Sequence, residues 1–292
     1  MAPKLKKFFV NQSVVNRFFI FFASLLLFSS FSFAQKVISI TINDGINPST
    51  AEFIHDGIEK AEQEKAECLI INLNTPGGLL TSTREIVTNI MQSKVPVIVY
   101  VSPTGAHAGS AGTVITMASN IAAMAPGTNI GAAHPVDMNG KSDAVMNEKI
   151  INDASAFIRT IAEKRGRNIQ WAEDAVRNSV SITEQEALEK NVINVIANDE
   201  RDLLLKVDGK PVELNNGAKM LHTKNATIET LEMGFFQKVL SRLSDPNISY
   251  IIRMLGFYGL LFELFSPGAS VPGISGVICL ILAFYSMSSM PV

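Results

Sequence analysis

The sequence holds 292 residues, with 25 Lys and Arg against 27 Asp and Glu and a formal net charge of −2. That length has room for one ordinary domain plus extra elements, and the near-neutral balance excludes the broad basic surface that a nucleic-acid binder needs. Two cysteines cannot build a disulfide scaffold, so stability has to come from apolar layers.

Lys4, Lys6, Lys7 and Arg17 precede the apolar run from Phe18 to Phe28, and Ser32-Phe33-Ala34 ahead of Gln35 has the small-x-small form of a cleavage site. Residues 1–34 therefore read as a signal peptide, with an uncleaved anchor of the same orientation as the alternative; either exports the residues that follow. Val37 to Ile42 alternates as a strand, and Pro48 to about Glu64 reads as an amphipathic helix with Phe53, Ile58 and Ala61 inside. Cys68 to Leu73 is a short apolar strand that stops abruptly at Asn74-Thr75-Pro76-Gly77-Gly78, and a helix from about Leu79 to Met91 comes next. The following strand, Val95 to Val101, delivers the chain to Gly105-Ala106-His107-Ala108-Gly109-Ser110-Ala111-Gly112. Here one hydroxyl stands among small residues where a tight turn meets a new apolar segment. A Ser leading a helix lies beside free backbone N–H groups able to hold an oxyanion, so Ser110 reads as a nucleophile with Gly78 and Ala111 as donors. A glycine-rich turn capped by Ser110 is the alternative reading of the same octet. In an open α/β layer the carboxyl ends of the strands form the working edge, which sets Gly77-Gly78 and Gly109-Ser110 across one crevice.

Ile121 to Met124 is a short strand leading to the Pro126-Gly127 turn, and Val136 to Ala144 is polar and loose, a loop expected to order on substrate binding. Val145 to about Arg165 is a helix whose apolar band holds Val145, Met146, Ile150, Ala154, Phe157, Ile158 and Ile161, with Lys149 at its edge. A half-buried amine there would be neutral enough to take a proton from Ser110; Asp153, four residues on, offers instead an ordinary ion pair that keeps it charged. His134 is the rival base, but no acidic residue stands in a clear context to complete a triad, Asp174, Glu184 and Glu186 being loose candidates. His107 reads as structural. Further helices are expected at Trp171 to Asn178 and Thr183 to Lys190, a returning strand at Val192 to Ala197, and a hairpin at Asp208-Gly209. No metal-ligand spacing is found among His55, His222 and their acidic neighbours.

Toward the end, Leu231, Phe235, Phe236, Val239, Leu240 and Leu243 recur at helical spacing with Lys238 and Arg242 elsewhere on the wheel, as on an interfacial helix or a dimer face. Ile248 to Phe265, which contains Arg253 and Glu263, and Val271 to Met287 are two candidate membrane helices joined by Ser266-Pro267-Gly268-Ala269. Charges within a membrane are expected to face protein rather than lipid.

The segments Asn74 to Gly78, Gly109 to Gly112, Ala125-Pro126-Gly127-Thr128-Asn129-Ile130-Gly131-Ala132-Ala133-His134-Pro135, Lys149 to Ala154 and Gly166-Arg167-Asn168 resemble the ClpP-class serine peptidases, and most of all their membrane-bound NfeD branch. The similarity runs from about Val37 onward. It implies an α/β fold, the ClpP/crotonase-like ββα spiral, followed by a C-terminal transmembrane hairpin. It implies a Ser110–Lys149 dyad, an oxyanion hole at Gly78 and Ala111, and substrate contacts at Gly77 and His134. The implied activity is a membrane-anchored endopeptidase cleaving apolar segments of stomatin-like proteins, without cofactor or metal, as a homo-oligomer. The domains expected are a signal peptide at 1–34, a protease domain at 35–225, an amphipathic juxtamembrane helix at 226–247 and two membrane helices at 248–292, in a multi-pass protein with its catalytic domain exported. Long family members continue into an OB-type barrel, which is absent from this sequence and leaves a short form or a broken frame as the expectation. Three rivals stand beside this: a catalytically silent scaffold, a Ser–His peptidase using His134, and a crotonase-like enzyme acting on acyl thioesters. Export and the lack of a basic cluster for coenzyme A phosphates argue against the last.

Overall fold

The computed structural model describes residues 35–135, 144–243, 246–266 and 270–288. The signal-peptide reading, with its Lys4, Lys6, Lys7 and Arg17, and nearly all of the loop at 136–144 lie outside these residues. In chain order the elements are β1 (Lys36–Ile42), α1 (Pro48–Gln63), β2 (Cys68–Leu73), α2 (Leu80–Gln92), β3 (Val97–Val101), β4 (His107–Gly109), α3 (Ala111–Ala118), β5 (Ile121–Met124), β6 (Asn129–Gly131) and α4 (Ala144–Lys164). Then come α5 (Ile169–Arg177), β7 (Ser181–Thr183), α6 (Glu184–Glu189), β8 (Val195–Ile196), α7 (Glu200–Val207), β9 (Pro211–Leu214), β10 (Gly217–Met220), β11 (Thr227–Thr230), α8 (Phe235–Leu243), α9 (Pro246–Phe265) and α10 (Ser270–Ser288).

Six strands form one parallel sheet in the order β11-β1-β2-β3-β5-β8. A parallel sheet is covered on both faces, which is why β2 and β3 are apolar almost throughout instead of alternating. Ile38, Ile40, Leu69, Ile71, Val97 and Val99 face one side, with Phe53 and Ile54 of α1 and Ile86 and Ile90 of α2. The intervening residues Val37, Cys68, Ile70, Ile98 and Tyr100 face the other, against Leu203, Leu204 and Val207 of α7. The register aligns Ile42, Leu73, Val101 and Met124 along one carboxyl edge.

A second, smaller sheet lies beyond that edge. β4 pairs with β6 and β6 with β7, while single bridges join Thr75 to Ala108 and Ile46 to Gly78. Four times, then, the chain runs a strand in the large sheet, a short extended step at the small one, and a helix: β1, Ile46, α1; β2, Thr75, α2; β3, β4, α3; β5, β6, α4. This is the ββα spiral, and it holds the expected α/β class.

Several local expectations shift. Asp208-Gly209 does not turn a hairpin: Asp208 caps α7, Gly209 at φ 73 ends it, and the hairpin turns at Asn215-Asn216 between β9 and β10. A glycine at positive φ serves both motifs, and an Asp-Gly pair alone does not tell them apart. The returning strand shrinks to Val195–Ile196, because Val192 and Ile193 still belong to the loop closing on Ala187. β11 lies past residue 225 and still pairs with β1.

α9 and α10 pack against each other through Gly256, Gly259 and Gly276. Ile248–Phe265 is long and apolar enough to cross a membrane, whereas Val271–Phe284 is a shorter apolar helix. Glu263 lies against Gly273, as expected of a charge facing protein, but Arg253 is exposed. Cys68 and Cys279 are unpaired.

Candidate active site

The turn after β2 is set by its own polar groups. The Thr75 N–H donates to the His107 carbonyl at 2.9 Å and the Gly109 N–H to the Thr75 carbonyl at 3.0 Å, which lays the turn along β4. The Gly77 N–H donates to Thr75 Oγ1 at 3.2 Å, and the Gly77 carbonyl accepts from the Ile46 N–H at 2.8 Å. Gly77 has φ 126, and a Cβ there would sit 2.7 Å from Ser110 Cβ and 3.6 Å from the Ala111 nitrogen. At Gly78 a Cβ would lie 2.0 Å from the Ile46 carbonyl oxygen. Neither position admits a side chain, and the reason is the close approach of two segments, Ile46 on one side and Ser110 on the other.

Ser110 opens α3 in an unusual way. Its φ is 48° and its ψ −109°, left-handed backbone that a serine rarely adopts. The N–H donates to the Gly131 carbonyl at 3.3 Å and the carbonyl accepts from Thr113 at 3.0 Å, while the side chain makes no cap bond to the helix. The capping alternative therefore fails: a capping serine takes extended backbone and spends its oxygen on the N2 or N3 amide. Here the hydroxyl is half-buried and, among the described residues, without a hydrogen-bond partner. The Gly78 and Ala111 N–H groups also donate to no described group. A spare hydroxyl beside two spare amides is the layout that attack on a carbonyl requires.

The two candidate bases are held differently. Lys149 is exposed, as are its neighbours Val145, at 58%, and Met146, at 52%. The expected half-buried amine is thus corrected. α4 is fully buried only from Ala154 onward; Ile151 packs part-buried against the core, while Val145, Met146 and Lys149 stand exposed on the turns before it. The i,i+4 pair is not formed either. Asp153 bonds Arg84 of α2, whose guanidinium also stacks over Phe157 at 4.4 Å. His134 is half-buried with Nδ1 2.8 Å from the Val176 carbonyl, which makes Nδ1 the donor and leaves Nε2 with a lone pair. Among the described residues no hydrogen bond joins Lys149 or His134 to Ser110.

His107 and Arg167 play larger parts than the sequence suggests. The His107 ring packs on Gly109, where a Cβ would meet Nε2 at 2.6 Å. Arg167 is buried; it donates to the Ser119 and Val192 carbonyls at 3.0 and 2.8 Å, and among the described residues it meets no carboxylate and its Nε has no partner. Burial lowers its pKa from the ordinary arginine value. With Arg165, which donates to the Ala118 carbonyl at 2.7 Å, it closes the C-terminal end of the helix that Ser110 begins. The basic Arg165-Gly166-Arg167 run is the only trace of this in the sequence. Among the described residues no three His, Cys, Asp or Glu side chains gather as a metal cluster.

Residues 36–231 match the family described as NfeD1b, N-terminal domain, and residues 247–292 the NfeD integral membrane domain. The chain belongs to the NfeD1b family. Among curated relatives, the membrane-bound protease PH1510 of Pyrococcus horikoshii is 37% identical over 264 residues, 89% of this chain and 60% of its own length. The membrane protein NfeD1b of Bacillus subtilis is 30% identical over 254 residues, covering 86% of this chain and 56% of its own. The chain thus spans less than two thirds of either relative. Among solved structures, a lysine-to-alanine mutant of the 1510-N membrane-bound stomatin-specific protease, in complex with a substrate peptide, superposes with a TM-score of 0.68 at 37% identity, covering 73% of this chain and 99% of that one. The resemblance to NfeD proteins and the α/β expectation are borne out, and the C-terminal part is an integral membrane domain.

Proposed function

We propose that this chain is a membrane-anchored serine endopeptidase. The observation that carries the reading is Ser110, held at φ 48 against Gly77 with its hydroxyl committed to no helix cap. Such strain survives only where the surroundings over-determine it, and it clusters at sites of chemistry. Ser110 Oγ attacks the peptide carbonyl as Lys149 Nζ takes its proton. The oxyanion rests on the Gly78 and Ala111 N–H groups, and Lys149 then protonates the departing amine, with water completing the turnover. Gly77 gives the substrate backbone room, and His134 lines the cleft.

A lysine acts as a base only when its charged form is disfavoured. We assign the missing cover of the Val145-Met146-Lys149 turn to a second copy of the chain, so the active form is a homo-oligomer. Substrates are apolar segments of stomatin-like membrane proteins, in keeping with the stomatin specificity of the 1510-N relative. The catalytic unit lies on the exported side, and α9 and α10 cross the bilayer as a pair. The Val176 carbonyl supports a second reading, in which His134 Nε2 is the base, because it fixes the tautomer that a general base needs.

The test is cleavage of apolar peptides by the full chain in lipid vesicles, comparing wild type with Ser110→Ala, Lys149→Ala and His134→Ala. Loss in the first two with retention in the third is expected. Retention in Lys149→Ala with loss in His134→Ala moves the base to the histidine, and no cleavage by wild type leaves a scaffold.

A further inference from the structure

α8 (Phe235–Leu243) has two unlike faces. One is fastened to the body by Gln237: its Nε2 donates to Asp56 of α1 at 2.7 Å, its Oε1 accepts from the Gly234 N–H at 3.1 Å, and its carbonyl accepts from Ser49 Oγ at 3.1 Å. Ser241 is buried on this side, whereas Leu243, between Val239 and Phe236 on the wheel, is buried at the C-terminal end of the other face. On the other face Phe235 and Phe236 are 76% and 80% exposed, edge to face at 5.7 Å, and Val239 is exposed beside them. At about 100° per residue, Phe235, Val239 and Arg242 fall within roughly 60° of one another, with Lys238 at one flank and Phe236 at the other. Lys238 is paired with Glu232 at 2.9 Å, so Arg242 carries the remaining positive charge of the helix.

The place of α8 in the chain says what covers this face. α8 touches both α9 and α10, and the integral membrane domain begins at residue 247, four residues past its end. Water is a poor neighbour for two adjacent phenylalanines, whereas the zone between headgroups and acyl chains accepts aromatic rings on one side of a helix and cations on its flank.

We propose that α8 lies in the plane of the membrane, with Phe235, Phe236 and Val239 in the boundary between headgroups and acyl chains and Arg242 at the level of the lipid phosphates. The inference rests on the membrane domain and not on the peptidase reading. Because Gln237 ties the opposite face to α1, the helix holds the whole α/β body at a set height and tilt over the bilayer.

The experiment uses the full chain carrying Phe236→Trp, reconstituted in vesicles of phosphatidylcholine and phosphatidylglycerol, with wild type and its buried Trp171 as the baseline. Lipids brominated near the headgroup end of the acyl chain are expected to quench the added indole about twofold, and lipids brominated near the chain terminus less, as befits a shallow in-plane helix. Red-shifted emission without quenching places the ring in water and overturns the proposal. Blue-shifted emission without quenching buries it against protein, a second copy being the first suspect, and overturns it equally. Phe235→Trp repeats the measurement at the neighbouring position.

Discussion

Ser110 combines strain with a hydroxyl that has no partner among the described residues, and the two effects separate on substitution. Ser110→Gly removes the penalty of left-handed backbone, so the variant should be more stable by about 1 kcal/mol in thermal unfolding while losing all cleavage. Lower stability in that variant would mean that the hydroxyl supports the fold. Gly78→Ala behaves oppositely. Its methyl would stand 2.0 Å from the Ile46 carbonyl oxygen, a backbone atom that cannot swing aside, and a loss of about 3 kcal/mol is expected together with activity. A Tm within about a degree of wild type would show that the Ile46 bridge is dispensable. The Ser110 and Gly77-Gly78 positions are legible in the sequence because the need for small residues is local and leaves a visible mark. The setting of Lys149 is not. A helical wheel gives the phase of a side chain, but the group that stands opposite it comes from elsewhere, and here Val145, Met146 and Lys149 are left exposed.

At the scale of elements, the strands of the large sheet are legible from their apolar runs, and Ile121–Met124 can be placed to the residue. The small sheet cannot. β4, β6 and β7 have three residues each, too short for any period to register, and the Ile46 and Thr75 steps are single residues. Yet this sheet brings Gly77 to Ser110. The helix that Ser110 opens is steadied at its far end by Arg167, and Arg167→Met should cost about 2–3 kcal/mol by leaving the Ser119 and Val192 carbonyls buried without donors. Measured by chemical unfolding, a neutral result would show that these carbonyls find other partners.

Over the whole molecule, the first strand and the last strand of the large sheet are joined by charge as well as by backbone. Glu229 of β11 pairs with Lys36 at 2.5 Å and Lys60 at 2.6 Å, and these bonds, Lys36 first, hold its carboxyl down to about 2 from 4.5. A depressed carboxyl contributes stability above its unfolded value that is lost as pH falls through the folded one. The advantage of wild type over Glu229→Gln is therefore expected to be full at neutral pH, to shrink from about pH 4.5 and to vanish near pH 2. It should also fall with salt, since the pair is solvent-exposed. A pH-independent difference would assign the effect to packing.

The tether between Gln237 and α1 has a consequence for selectivity. α1 begins next to Ile46, whose backbone flanks Gly77 and Gly78, so a helix fixed at the lipid surface fixes the cleft as well. On the proposed peptidase reading, such a protein would work as a ruler. The bond cut in an anchored target would be chosen by its distance from the bilayer, and residues inserted between that target's anchor and its cleavage point would move the cut by the same number of residues toward the anchor.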